Sequence, residues 1–240
     1  MTKRLEIFIS GLLCVLIMDK VPTGAEFLNN LLEGGYDTDI ITTIFGPAGA
    51  GKTNFCILAT VKMAESGKKV LFVDTEGGIA VERIRQISSD YEKVLQKIFF
   101  FNPVTFAEQN EAFEKLNGLV NESVGLVVVD SISMLYRLEL GKNEEVYEVN
   151  SALGRQMAYL VEIARKKKIP VLITNQVYTD FDHRDEVKMV GGDLLKYGSK
   201  CLIELKIFHN CRGLILRKHR SLPEGREARF RIVQKGMEEV

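Results

Sequence analysis

The chain has 240 residues, of which 46% are hydrophobic and 27% charged, a balance that suits one packed domain and excludes disordered or collagenous sequences. Lysine and arginine together number 32, as do aspartate and glutamate, so overall charge gives no general attraction to a polyanion or membrane. The four cysteines, Cys14, Cys56, Cys201 and Cys211, form no CxxC pair and are too few to staple a chain of this length, which fits a reduced, cytoplasmic protein.

The first feature is an apolar run, Ile7 to Met18, behind Lys3 and Arg4. It lacks a small-residue cleavage site before Asp19 and Lys20, and is shorter than the roughly 18 residues a membrane-spanning helix needs. It reads as a buried strand or helix, or as an extension ahead of a true start at Met18. Residues 1–20 are therefore set apart as an extension, and 21–240 are taken as one domain with no membrane association.

From Thr23-Gly24 a short amphipathic helix carries Phe27, Leu28, Leu31 and Leu32 and stops at Gly34-Gly35. Strands are predicted at Ile40–Phe45, Val70–Asp74, Ile98–Phe101, Leu126–Asp130 and Val171–Asn175, with helices at about 53–65, 80–90, 105–120 and 145–167. Continuous β-branched runs of this kind suit strands buried on both faces, and the alternation predicts a mainly parallel sheet flanked by helices. After Gln176 a charged segment leads to strand-like runs at 200–208, 213–217 and 228–233, with a turn at Asn210-Cys211-Arg212-Gly213. These later strands are expected to extend the sheet antiparallel.

Between the first long strand and its helix lies Gly46-Pro47-Ala48-Gly49-Ala50-Gly51-Lys52-Thr53, the full GxxxxGK[ST] pattern. Its glycines let successive backbone N–H groups turn inward, and the helix N-terminus adds positive potential, so the loop is suited to phosphate groups. Lys52 would neutralise phosphate charge and the Thr53 hydroxyl would ligate Mg²⁺. The apolar strand ending at Asp130 supplies a carboxylate for the metal shell. Glu76, at the end of the neighbouring strand, is the candidate to orient and polarise an attacking water, against the plainer role of a helix cap. Gln176 ends another parallel strand, where a neutral amide can respond to the terminal phosphate. ATP with Mg²⁺ is the expected ligand.

The order of these elements resembles the RecA-like recombinase ATPases, in particular the archaeal RadA/RadB group. Pro22-Thr23-Gly24, Leu31-Leu32-Glu33-Gly34-Gly35, Phe72-Val73-Asp74-Thr75-Glu76-Gly77-Gly78, Val129-Asp130-Ser131-Ile132, Ile173-Thr174-Asn175-Gln176-Val177 and Leu222-Pro223-Glu224-Gly225 carry the likeness. It implies a RecA-like P-loop core over 21–240 in which Glu76 activates water, Gln176 couples nucleotide state to DNA-binding loops and Arg83 stacks on adenine. At Ala80 and Val81 the chain departs from the usual Arg-Pro of RadA. About 20 residues precede the core, without a Phe-x-x-Ala motif, and this, with Lys218-His219-Arg220, resembles the short RadB branch. That branch implies DNA binding, weak ATPase, little strand exchange, and help to a RadA-type recombinase and a Holliday-junction resolvase. Self-association stays open, as do the alternatives of a filament-forming strand-exchange recombinase and, more distantly, a KaiC-like signalling ATPase.

Charge placement narrows where DNA would sit. The two segments that the resemblance aligns with DNA loops, about 131–150 and 177–192, are acidic: the first holds Arg137 and Lys142 against four glutamates, and within the second 180–186 holds Arg184 against four acids. Residues 200–235 instead carry ten lysines and arginines against three glutamates, so Arg217, Lys218, Arg220, Arg226 and Arg229 are the expected DNA contacts. Arg165-Lys166-Lys167-Lys168 reads as a helix end stabilising its dipole.

Overall fold

A computed structural model describes residues 19–141, 146–179 and 187–240. The expectations placed on residues 1–17, on Lys142, Glu144 and Glu145, and on 180–186 lie outside these.

Strand β1 (Lys20–Val21) pairs antiparallel with β2 (Tyr36–Asp37), enclosing helix α1 (Glu26–Leu31). Then follow β3 (Ile41–Phe45), α2 (Lys52–Glu65), β4 (Lys69–Asp74), α3 (Val81–Ile87), α4 (Tyr91–Leu95) and β5 (Ile98–Phe101). Next are α5 (Phe106–Leu119), β6 (Val124–Asp130), α6 (Met134–Leu140), α7 (Val146–Lys167) and β7 (Val171–Asn175). A small ladder of β8 (Val177–Thr179) and β9 (Val187–Met189) precedes α8 (Gly192–Gly198). The chain ends with β10 (Cys201–Ile207), β11 (Arg212–His219), β12 (Glu227–Val233) and β13 (Gly236–Glu239).

Nine strands form one sheet in the order β13-β12-β11-β10-β3-β7-β6-β4-β5. From β10 to β5 neighbours are parallel, and from β10 to β13 they are antiparallel. The predicted α/β architecture is therefore the observed one. Alternation explains the double burial: Val70, Phe72, Leu126, Val128 and Leu172 face α1–α4, while Leu71, Val73, Val127, Val129 and Ile173 face α5–α8. All seven residues of β6 are buried, so this strand cannot slip register without exposing a core face. Phe27, Phe55 and Phe230 pack with ring centroids 5.2–6.3 Å apart and tie α1, α2 and the late strand β12 together.

The differences from expectation are local. The helix predicted at 80–90 ends at Ile87, because Ser88 is extended and its hydroxyl donates to Glu65 Oε1 at 2.8 Å instead of facing a helical turn. Helix α4, of five residues, and helices α6 and α8, of seven each, lie outside the predicted helices. The late turn lies two residues earlier than predicted: Ile207 pairs with Arg212, and Phe208 N–H donates to Cys211 O at 2.9 Å.

Candidate functional site

At the carboxyl ends of β3, β4, β6 and β7 the polar strand-ending residues converge. The loop after β3 follows the backbone demands read from its sequence. Gly46 has φ 155°, and a Cβ there would meet the Leu205 carbonyl oxygen of β10 at 2.6 Å, so the close approach of two backbones requires glycine. Gly51, φ 105°, caps α2, and its side-chain space is filled by Ile232 and Met237 of the terminal hairpin.

Lys52 is buried, and its ammonium donates to the carbonyls of Gly46 at 3.0 Å and Pro47 at 2.9 Å. Burial pulls its pKa down, while the carboxylates of Glu76 and Asp130 push it back up. Asp130 is fully buried, and its Oδ1 accepts the Thr174 hydroxyl. Its Oδ2 has no hydrogen-bond partner among the described residues. Burial raises its pKa, opposed by the nearby hydroxyls of Thr174 and Thr53. These two groups test the fit of ATP and Mg²⁺. An ammonium satisfied only by carbonyls suits a phosphate, and a buried carboxylate with a spare oxygen beside a threonine hydroxyl suits a hard divalent cation or its water shell.

Glu76 and Gln176 are 100 residues apart in sequence, yet Gln176 Nε2 donates to Glu76 Oε1 at 2.7 Å. Asp74 supports this contact. Its Oδ1 accepts the N–H groups of Glu76, Gly77 and Gly78 at 2.8–3.3 Å, and its Oδ2 accepts Ile79 N–H at 3.2 Å, folding the loop that presents Glu76. Thr75 then stitches β4 to β6: its hydroxyl donates to Ser131 O at 2.7 Å and accepts Ser131 N–H, the amide of the cis Asp130–Ser131 peptide, at 2.9 Å. Asp74, Thr75 and Thr174 were missed as contributors to the site. Their signal was present, since Asp74 ends and Thr75 follows one apolar strand and Thr174 is next to last in another.

Arg83 is less free than a stacking residue would be. Its guanidinium donates to Asn54 Oδ1, Gln86 Oε1 and the carbonyls of Val233, Gln234 and Gly236, all at 2.8–3.0 Å. It clamps the β12–β13 turn against α2, and only the guanidinium faces are left for a base. Arg212, counted above with the DNA cations, instead donates from Nε to Gly49 O at 3.1 Å and braces the phosphate loop from outside.

The five expected DNA contacts differ in the partners they already hold. Arg217 is paired with Glu204, Arg220 with Asp37 and Asp39, and Arg226 with Glu33. Lys218 donates to the carbonyls of Lys196 and Ser199 at the end of α8, and Arg229 lies 5.0 Å from the Phe208 ring centroid. The excess counted over 200–235 omitted acids elsewhere in the chain that fold against it.

The family description Rad51 matches residues 16–240. The chain belongs to the Rad51 family. Among Rad51 relatives, it is 45% identical to the DNA repair and recombination protein RadB of Methanococcus maripaludis strain C7 over 88% of this chain and 97% of that protein. It is 42% identical to that of Methanobrevibacter smithii over 91% and 95%. A solved structure described as the RadB recombinase superposes with a TM-score of 0.77, at 37% identity, covering 91% of this chain and 98% of that one. Among the described residues of this Rad51 family member, no helix is long and apolar enough to cross a membrane.

Proposed function

We propose that this protein is an ATP-gated, DNA-binding accessory factor of homologous recombination and repair, with slow hydrolysis acting as a switch. The observation that carries the reading is the Glu76–Gln176 hydrogen bond beside the phosphate loop. It joins the residue suited to orient water to the strand that leads directly into β8. The loop 46–53 with Lys52 grips the phosphates, and Thr53 and Asp130 hold Mg²⁺, which when bound offsets phosphate charge and fixes its geometry. Glu76 orients a water toward the terminal phosphoryl group and takes its proton. Gln176, released or retained by Glu76 as that group is present or gone, biases the segment after β7 between two states. The names of the RadB relatives support the biological setting.

Lys52→Ala provides the test. Nucleotide affinity, measured by calorimetry, is expected to fall at least about a hundredfold, with nucleotide-dependent changes in DNA binding lost as well. Retained tight ATP binding would remove the basis of the proposal. A second reading, a strand-exchange recombinase, is favoured by the description of the solved relative. Filaments on single-stranded DNA, together with strand exchange by the protein alone, would select it.

A further inference from the structure

The amino ends of the parallel strands form the face opposite the nucleotide rim, about 17 Å away along β3. A cavity of about 830 Å³ opens there, lined by the residues just before β4, β6 and β7. Five lysines surround it: Lys62 from α2, Lys68 ahead of β4, and Lys166, Lys167 and Lys168 at the end of α7. A second cavity of about 420 Å³ lies on the other side of that helix end and carries Arg165, Lys200 and Arg220. The carboxylates lining the two are Glu122 and Asp39.

We infer that this basal face is the surface on which the protein holds the phosphate backbone of DNA. The helix-end reading accounts for Arg165–Lys167, and for Lys62 in the last turn of α2. It does not account for Lys68 and Lys200, which precede strands and still converge on the same two cavities. Lys68, Arg165, Lys167 and Lys200 are exposed, and among the described residues none has a carboxylate within 4.0 Å. Lys68 donates only to the Glu122 carbonyl oxygen, which neutralises nothing. Of the late cations, Arg217, Arg220 and Arg226 already have carboxylates, Arg220 at the smaller cavity itself, while Lys218 donates to the Lys196 and Ser199 carbonyls beside Lys200. The floor of the larger cavity is apolar, with Met63, Val124 and Ile169, and lysine stems can lie along such a floor while their ammonium groups stay in water. The edge strands of the nine-stranded sheet, β5 and β13, contribute no lining residue, so an extended peptide would find no main-chain partner of that sheet here. A spread of point charges without strand pairing matches a polyphosphate better than an acidic peptide. DNA held here would lie a strand length from the nucleotide, so any coupling between the two sites must pass through the sheet.

The inference rests on the DNA-binding reading above, and one experiment separates the two. The full chain is titrated with a fluorescein-labelled 30-base-pair duplex, by anisotropy, at several salt concentrations. The Lys68→Ala/Lys167→Ala/Lys200→Ala protein is expected to bind about tenfold or more weakly at low salt. Its slope of log affinity against log salt should be shallower by about 2 to 3, since each lost phosphate contact removes about 0.9. Lysine-to-arginine changes at the same positions should restore the slope, and nucleotide affinity should not change. No duplex binding by the unaltered protein would overturn the DNA reading itself. Binding that is unchanged in slope in the triple variant would overturn this surface alone. Loss of poly-L-glutamate binding with duplex binding intact would overturn it in favour of an acidic protein partner. Each single alanine change should flatten the slope by about 1, so a triple variant that fails to fold still leaves three tests.

Discussion

The carboxyl-end rim of the sheet and its amino-end base both carry charge, but they use it in opposite ways. At the rim a few groups are buried and individually held: Lys52 by two carbonyls, Asp130 by Thr174, Asp74 by four backbone N–H groups. At the base the cations are many, exposed and in several cases without carboxylate partners. Buried groups act by geometry and lose much when one is removed, whereas exposed groups act by number and are screened by salt. Nucleotide binding should therefore respond sharply to single substitutions and little to salt, and DNA binding the reverse.

The largest effect is expected at the rim. Glu76→Gln keeps an acceptor for Gln176 but cannot take a proton, so phosphate release should fall about a hundredfold or more while nucleotide affinity changes by no more than about twofold. Turnover that survives this change would move water activation to another group and reduce Glu76 to a loop constituent.

The next prediction tests the base against the late strands. Arg217→Ala leaves Glu204, only 6% exposed, with the longer contact to Lys206 at 4.0 Å in place of its hydrogen-bonded ion pair. It should cost about 1–3 kcal/mol of stability in urea denaturation while leaving the salt slope of duplex binding unchanged. A flattened slope would return DNA contact to the late strands and dissolve the contrast drawn here.

This contrast also marks how far the sequence could be read. The phosphate loop was legible because every group it needs lies within eight consecutive residues, and backbone geometry does most of its chemistry. The strand order and the two-faced burial were legible from β-branched runs for the same local reason. Glu76 and Gln176 could be named from their strand ends, but their direct contact depends on Asp74 shaping the loop and on a sheet order that leaves β6 alone between β4 and β7. The ion pairs of Arg220 and Arg226 were not legible, because Asp37, Asp39 and Glu33 lie nearly 200 residues away and reach them only in the folded chain. Counting charges within a window misses such partners. The same blindness hid the base, where Lys62, Lys68, Lys167 and Lys200 come from separate elements.

A smaller effect is expected at Asp130, whose raised pKa reflects burial. Asp130→Asn removes a buried charge while keeping an acceptor for Thr174, so the nucleotide-free protein should gain about 1 kcal/mol. Protonation favours the folded form here, so the wild type should lose stability relative to the variant as pH rises from about 4 through the raised folded value. The same variant should bind nucleotide with an affinity that EDTA no longer changes. A variant that is less stable at every pH, with its EDTA response intact, would mean that Asp130 is a structural carboxylate and not a metal-facing one.

The smallest effect tests whether burial, and not position in the fold, separates the two regions. His219 belongs to the base by location but is built like a rim residue: its side chain is 1% exposed, and Nδ1 accepts the N–H groups of Ser221 and Leu222, both at 3.2 Å. Its Nε2 faces Asp37 Oδ2 at 3.5 Å, with Lys20, Arg220 and Arg226 close enough to oppose a proton. Burial lowers its pKa, and Asp37 only partly offsets this. A folded pKa below the unfolded value of about 6.5 means that the stabilising neutral form is fully populated above that value, and that its contribution is lost as pH falls through it. The urea midpoint should therefore drop between pH 7.5 and 5.5 in the wild type. It should drop less in His219→Asn, which keeps an acceptor for the two backbone N–H groups but does not titrate. Equal drops in both proteins would assign the pH response to other groups, and a buried histidine among surface lysines would then be as indifferent to protons as its exposed neighbours.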